Sequence, residues 1–105
     1  KEQLLQVPAE MLLQHGAVSQ EVAEAMAIGV RHLAQVDFGA AVTGIAGPSG
    51  GTPEKPVGLV YIAVANEKEV HSRRYEWRGG REIIKQRAAQ ALLNLLRQQI
   101  LMANI

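Results

Sequence analysis

The stretch GPSGG, Gly47 to Gly51, has the G-x-S-x-G spacing that places a nucleophilic serine in many hydrolases. In such an elbow a strand enters the first glycine and a helix begins directly after the serine, so that the turn exposes the hydroxyl above the sheet. DFGAAVTGIA supplies the strand, but GTPEKPVG follows, with two glycines and two prolines. Because these residues prevent an immediate helix, the sequence predicts that Ser49 is not a nucleophile.

The whole loop from Thr43 to Gly58, TGIAGPSGGTPEKPVG, contains the polar groups that could converge on a ligand. Glycine permits positive φ and lets backbone N–H groups approach an anion, so phosphate or sugar binding is one interpretation. A turn that merely connects two strands is the other. The loop is not a Walker A motif, because the GK[ST] ending is missing and Lys55 precedes Pro56 instead of a helix.

Helices are predicted on both sides of this loop. KEQLLQV is typical of the end of a helix whose beginning is missing, and PAEMLLQHG of a short helix that stops at Gly16. Ser19 is expected to cap QEVAEAMAIGVRHLAQ, and the last helix begins at Arg81. The predicted inner faces of these two helices comprise Val22, Met26, Val30 and Leu33, and Ile84, Ala88, Ala91, Leu92, Leu95 and Leu96.

Three strands are predicted between the helices. FGAAVTG indicates a buried strand, and VGLVYIAVA is an apolar run typical of a strand covered on both faces. NEKE forms a predicted hairpin turn into VHSRRYEWR, whose mixed charges favour the edge of a sheet. The order of elements predicts an α/β domain, a mixed sheet with helices packed on it.

The composition of the 105 residues is that of a globular domain, with 48% hydrophobic and 20% charged residues. A net charge of +1 argues against nucleic acid or a membrane surface as a charge-driven partner. The absence of cysteine excludes disulfides and thiolate metal sites and fits a cytoplasmic protein. The three histidines lack metal-ligand spacing, so no metal site is predicted, and no apolar run is long enough to span a bilayer.

One long segment, AVTGIAGPSGGTPEKPVGLVYIAVA, strongly resembles the signature of the CinA C-terminal domain family, the nicotinamide-nucleotide (NMN) amidohydrolases of bacteria. Upstream, the residues from KEQLLQV to AIGVR resemble the segment after the family's Tyr-Ser-Asn-x-x-Lys motif. Downstream, GGREIIKQRAAQALL is similar to its closing helix. The resemblance covers essentially the whole chain and implies a three-layer α/β/α fold. It also implies that residues 1–105 are a single domain lacking the family's N-terminal portion.

The resemblance further implies hydrolysis of the NMN carboxamide to nicotinate mononucleotide and ammonia. The nucleophile would be the serine of a Ser-Cys-Thr-Gly motif upstream of this chain, so the chain alone is expected to be inactive. Lys1 falls on the lysine of the family's Ser/Lys pair, and Thr43 on an active-site position. No cofactor is implied. The residues expected to bind substrate are Gly44, Gly47, Gly50, Gly51, Thr52, Lys55 and Arg81.

Ordinary structural roles compete with these assignments. Thr43 could bond to backbone at a strand end, Lys55 could be a solvated loop lysine, and Arg81 a surface charge. The family commonly has glycine or aspartate where Ser49 stands and aspartate where Gly80 stands, and it often has arginine where Lys85 stands. The alternative to a hydrolase is a non-catalytic binding or assembly module linked to competence or DNA damage. A homo-oligomer is also left open.

Overall fold

A computed structural model describes residues 7–103. Its helices and strands, numbered along the chain, are α1 (Ala9–His15), α2 (Gln20–Ala34), β1 (Gly39–Gly44), β2 (Leu59–Ala65), β3 (Val70–Glu76) and α3 (Arg81–Ala103). Each helix and strand predicted within this range is confirmed. The helix end predicted in KEQLLQV lies, apart from Val7, outside the described residues.

The three strands form one sheet in the order β1, β2, β3. Both neighbouring pairs are antiparallel, and Thr43 lies opposite Tyr61 while Tyr61 lies opposite Arg74. The parallel pair that a mixed sheet requires is not found in residues 7–103. Helices nevertheless pack on both sides of the sheet, which confirms the α/β class and the α/β/α layering.

The central strand β2 is buried on both faces, as its unbroken apolar sequence predicts. Val60, Ile62 and Val64 form one core with residues of α3. Ala63 and Ala65 belong to a second core with residues of α2. Because successive side chains of a strand point to opposite faces, one seven-residue strand serves both layers.

Helix α2 begins at its predicted cap, because Ser19 Oγ accepts a hydrogen bond from the Val22 backbone N–H over 3.2 Å. The prediction of its inner face is wrong for Leu33, which is 57% exposed. Ala23 and Ala27 are fully buried instead. Small side chains let the helix approach β1 closely, and a Cβ on Gly39 would overlap the Ala27 carbonyl oxygen. The face that α2 buries against the sheet is therefore the face that carries Ala23 and Ala27.

The β2–β3 hairpin turns at the predicted NEKE segment. Asn66 Oδ1 accepts hydrogen bonds from the backbone N–H groups of Lys68 and Glu69, at 2.8 and 2.9 Å. Strand β3 then runs along the edge of the sheet with its polar residues exposed or half-buried, as predicted. Within residues 7–103, no helix combines the length and apolar character needed to cross a bilayer.

Candidate functional site

The glycine loop, residues 45–58, lies at the end of the sheet where β1 finishes and β2 begins. Its base is closed by backbone hydrogen bonds that extend the strand pairing. The Ile45 N–H donates to the Leu59 carbonyl over 2.9 Å, and the Gly58 N–H donates to the Ile45 carbonyl over 2.6 Å. Trp77 N–H donates to the Gly58 carbonyl over 3.0 Å. The loop is therefore fixed at its base by all three strands.

On the α2 side of the sheet, two side chains connect this region to the segment between α1 and α2. Thr43 is 5% exposed, and its hydroxyl donates to the Ala17 carbonyl over 2.7 Å. The Lys55 ammonium donates to the carbonyl of His15, the last residue of α1. A cation there stabilises a carbonyl that the helix leaves without an internal partner.

On the other side of the sheet, Arg81 connects the loop to α3. Its guanidinium Nη1 donates to the Gly47 carbonyl over 3.2 Å. Arg81 is also the first residue of α3, a helix of 23 residues. The backbone N–H groups of a first helical turn have no intrahelical acceptor, and the helix dipole favours an anion there. The loop, a guanidinium and a helix N-terminus thus lie side by side.

Three glycines in the middle of the loop, Gly47, Gly50 and Gly51, fall into two groups. A Cβ on Gly47 would lie 2.5 Å from Val57 Cγ1, and one on Gly51 would lie 2.7 Å from the Val57 backbone nitrogen. These two glycines are required by close packing within the loop. Gly50 instead has a φ of 97° and only the Ile45 side chain nearby, at 3.8 Å. It is exposed, so its backbone is accessible to a ligand.

Thr52 and Lys55 form a turn inside the loop. The Thr52 N–H donates to the Lys55 carbonyl over 2.9 Å, and the Lys55 N–H donates to Thr52 Oγ1 over 3.0 Å. This turn orients the Lys55 side chain toward α1. The Thr52 hydroxyl accepts a backbone hydrogen bond and keeps its proton free to donate.

The structure brings most of the predicted site residues to one end of the sheet, namely Thr43, Gly44, Gly47, Gly50, Gly51, Thr52, Lys55 and Arg81. Lys1 lies outside the described residues. The contacts give Thr43 and Lys55 structural partners, while their catalytic and substrate-binding roles stay predictions. No motif in the sequence pointed to Val57 or to the carbonyl groups of His15 and Ala17, because an aliphatic side chain and backbone oxygens carry no chemical signature.

Ser49 lies exposed in this loop, and no helix follows it before β2. We therefore expect Ser49→Ala to leave the free energy of unfolding within about 0.5 kcal/mol of the wild type. In the whole protein, the variant should keep most of any amidohydrolase activity. Urea denaturation and steady-state ammonia release measure the two effects. A loss of about a thousandfold in a folded variant would restore the nucleophile-elbow hypothesis.

Two of the larger cavities lie away from the loop. One, of about 480 Å³, is at the opposite end of the sheet and is lined by residues that include Asp37, Asn66 and Gln99. The other is an open groove of about 520 Å³ between β3 and α3. No cluster of three His, Cys, Asp or Glu side chains suited to a metal ion occurs in residues 7–103.

Comparison with known proteins gives consistent results. The family model of the CinA C-terminal domain matches residues 1–100 of this chain. A CinA-like protein of Anaeromyxobacter dehalogenans (strain 2CP-C) is 53% identical over 92% of this chain, which spans 24% of that relative. A CinA-like protein of Geobacter sulfurreducens is 48% identical over 98% of the chain and 25% of the relative. The chain thus spans about a quarter of the length of these relatives.

Solved structures show the same relationship. The competence/damage inducible protein CihA of Agrobacterium tumefaciens superposes with a TM-score of 0.90 at 37% identity, covering 92% of this chain and 60% of that one. A CinA superfamily protein of Escherichia coli superposes with a TM-score of 0.89 at 31% identity, covering 94% and 58%. The sequence match and the shared fold together show that this chain belongs to the CinA C-terminal domain family.

Proposed function

We propose that the protein containing this chain hydrolyses the carboxamide of NMN, and that the chain binds the phosphate end of the substrate. Family membership supports the reaction class. The observation that supports phosphate binding is the hydrogen bond from Arg81 to the Gly47 carbonyl, which holds a guanidinium beside both the glycine loop and the N-terminus of α3. Arg81 engages one of its five N–H donors there, and the others can bind phosphate oxygens.

The proposed reaction follows the Ser/Lys scheme. A serine from the part of the family domain that this chain lacks attacks the carboxamide carbon, and Lys1 accepts the serine proton. Backbone N–H groups stabilise the oxyanion. The C–N bond breaks and ammonia leaves with a proton returned by Lys1. Water then cleaves the acyl-enzyme and restores the serine proton, and the proton lost by the carboxylic acid is taken up by ammonia, so one water and one amide yield a carboxylate and an ammonium ion.

Ammonia release from NMN by the whole purified protein tests this proposal. Turnover that disappears when the upstream serine is replaced by alanine supports the Ser/Lys reaction. A folded protein that binds NMN without releasing ammonia contradicts it, and that result would favour the non-catalytic binding or assembly module. A folded protein that neither binds nor hydrolyses NMN contradicts both halves of the proposal.

Arg81→Met in the whole protein should raise KM for NMN by about tenfold to a hundredfold, the effect of losing one charge-assisted phosphate contact of about 1.5–3 kcal/mol. Hydrolysis of nicotinamide riboside, which has the same carboxamide and no phosphate, should be unchanged. Steady-state kinetics on both substrates measure the difference. Arg97→Met is the matched control, because Arg97 is an exposed arginine four turns further along α3. Equal losses on both substrates would assign Arg81 a structural role.

A further inference from the structure

Strand β3 has an open edge along its outer side in the described part of the chain. At its two ends, the Asn66 N–H donates to the Glu69 carbonyl over 2.9 Å and the Trp77 N–H donates to the Gly58 carbonyl over 3.0 Å. Hydrogen-bonded positions alternate along an antiparallel pair, so the odd-numbered residues of β3 direct their backbone groups at β2. The N–H and carbonyl groups of Ser72, Arg74 and Glu76 therefore point outward.

The side chains of this strand divide between the two faces of the sheet. Arg73, Tyr75 and Trp77 lie on the α3 side, where they line the open groove of about 520 Å³. The rings of Tyr75 and Trp77 are stacked, with centroids 4.5 Å apart and planes inclined by 12°. Arg74 lies on the α2 side, and its Nη2 is 2.7 Å from Glu76 Oε1 of the same strand. The strand thus carries opposite charges two residues apart.

We propose that β3 pairs antiparallel with β3 of a second copy of this chain, about a two-fold axis at Tyr75. The two three-stranded sheets then form one sheet of six strands. Arg74 lies opposite Glu76 of the partner subunit, and Glu76 lies opposite the partner's Arg74. Both are outward-pointing positions, and each pair exchanges two backbone hydrogen bonds, giving four in all. The charges that line the edge become complementary across it.

Electrostatic pairing selects this register over its neighbours. A shift of the partner strand by two residues, which moves the two-fold axis to Arg74, places Arg74 opposite the partner's Arg74. A shift by four residues moves the axis to Arg73 and places Arg73 opposite the partner's Arg73. Like charges directly opposite one another destabilise a pair of strands. In the proposed register Arg73 instead meets Trp77 of the partner subunit, which provides a cation–π contact within the groove.

Sedimentation equilibrium of the protein at low ionic strength tests the pairing through charge reversal. We expect the wild type to sediment as a dimer, with twice the mass of one protomer. Arg74→Glu and Glu76→Arg should each raise the dimer Kd at least tenfold, and the double variant should return it to within about threefold of the wild type. Arg97→Glu, an exposed charge on α3, is the matched control and should change nothing.

Crosslinking provides an independent test, because the chain contains no cysteine. Tyr75 would face the partner's Tyr75 in a non-hydrogen-bonded pair, whose Cα separation of about 4.5 Å suits a disulfide. Under mild oxidation Tyr75→Cys should give a covalent dimer, whereas Arg73→Cys, which would face the partner's Trp77, should not. A monomeric wild type at millimolar concentration, a dimer insensitive to both charge reversals, or crosslinking by Arg73→Cys alone would overturn the proposal. Circular dichroism confirms that each variant is folded.

Discussion

Gly58→Ala should lower the free energy of unfolding by about 3–5 kcal/mol, the sum of a strained backbone and an overpacked contact. Gly58 is buried and has a φ of 96°, a conformation that residues with a Cβ rarely adopt. A Cβ at this position would overlap the Trp77 carbonyl oxygen. Relief by movement is restricted, because Gly58 donates a hydrogen bond to Ile45 and accepts one from Trp77. The strain therefore reaches all three strands.

Urea denaturation of Gly58→Ala and Gly80→Ala measures this effect against a matched control. Gly80 precedes α3, and a Cβ there would have no atom within 4 Å. The Gly80 carbonyl accepts the first hydrogen bond of α3, from the Ile84 N–H, so its substitution should cost only the preference for glycine over alanine at a helix cap, no more than about 1 kcal/mol. Similar midpoints for the two variants would show that the β1–β2 connection adapts to a side chain at position 58. Such a result would also contradict a rigid base for the glycine loop.

Local patterns were sufficient to predict the elements of this fold. The apolar run of β2 identified a strand covered on both faces, and Asn66 belonged to a predicted hairpin turn. Ser19 was recognisable as a cap because its side chain acts on a residue three positions away. These features depend on residues close in sequence. The same reasoning was wrong for Leu33, since the face that α2 buries is set by the close approach of its alanines to the sheet.

The geometry of the site depends on contacts that no local pattern contains. Lys55 lies 40 positions from His15, and Arg81 lies 34 positions from Gly47. In the sequence, each of these cations could equally be a solvated surface charge. Only the packing of α1 and α3 on opposite sides of one sheet brings them to a common loop. The resemblance named the residues, but it gave no account of what holds them there.

The assignment of Lys1 rests on that resemblance alone, because Lys1 lies outside residues 7–103. If it is the proton acceptor of a Ser/Lys pair, Lys1→Met in the whole protein should reduce ammonia release at saturating NMN by about a hundredfold or more. Methionine has a similar unbranched stem, so the loss would come from the missing base and not from packing. Lys68→Met is the control, since Lys68 is an exposed residue of the β2–β3 turn.

Separation of kcat from KM distinguishes this role from that of Arg81. A general base acts on the chemical step, so Lys1→Met should lower kcat and leave KM for NMN close to the wild-type value. Arg81→Met should do the reverse, because a phosphate contact made equally in the ground and transition states changes KM alone. Near-normal turnover of the methionine variant would contradict the catalytic assignment of Lys1 and leave the phosphate site at Arg81 to be judged on its own kinetics.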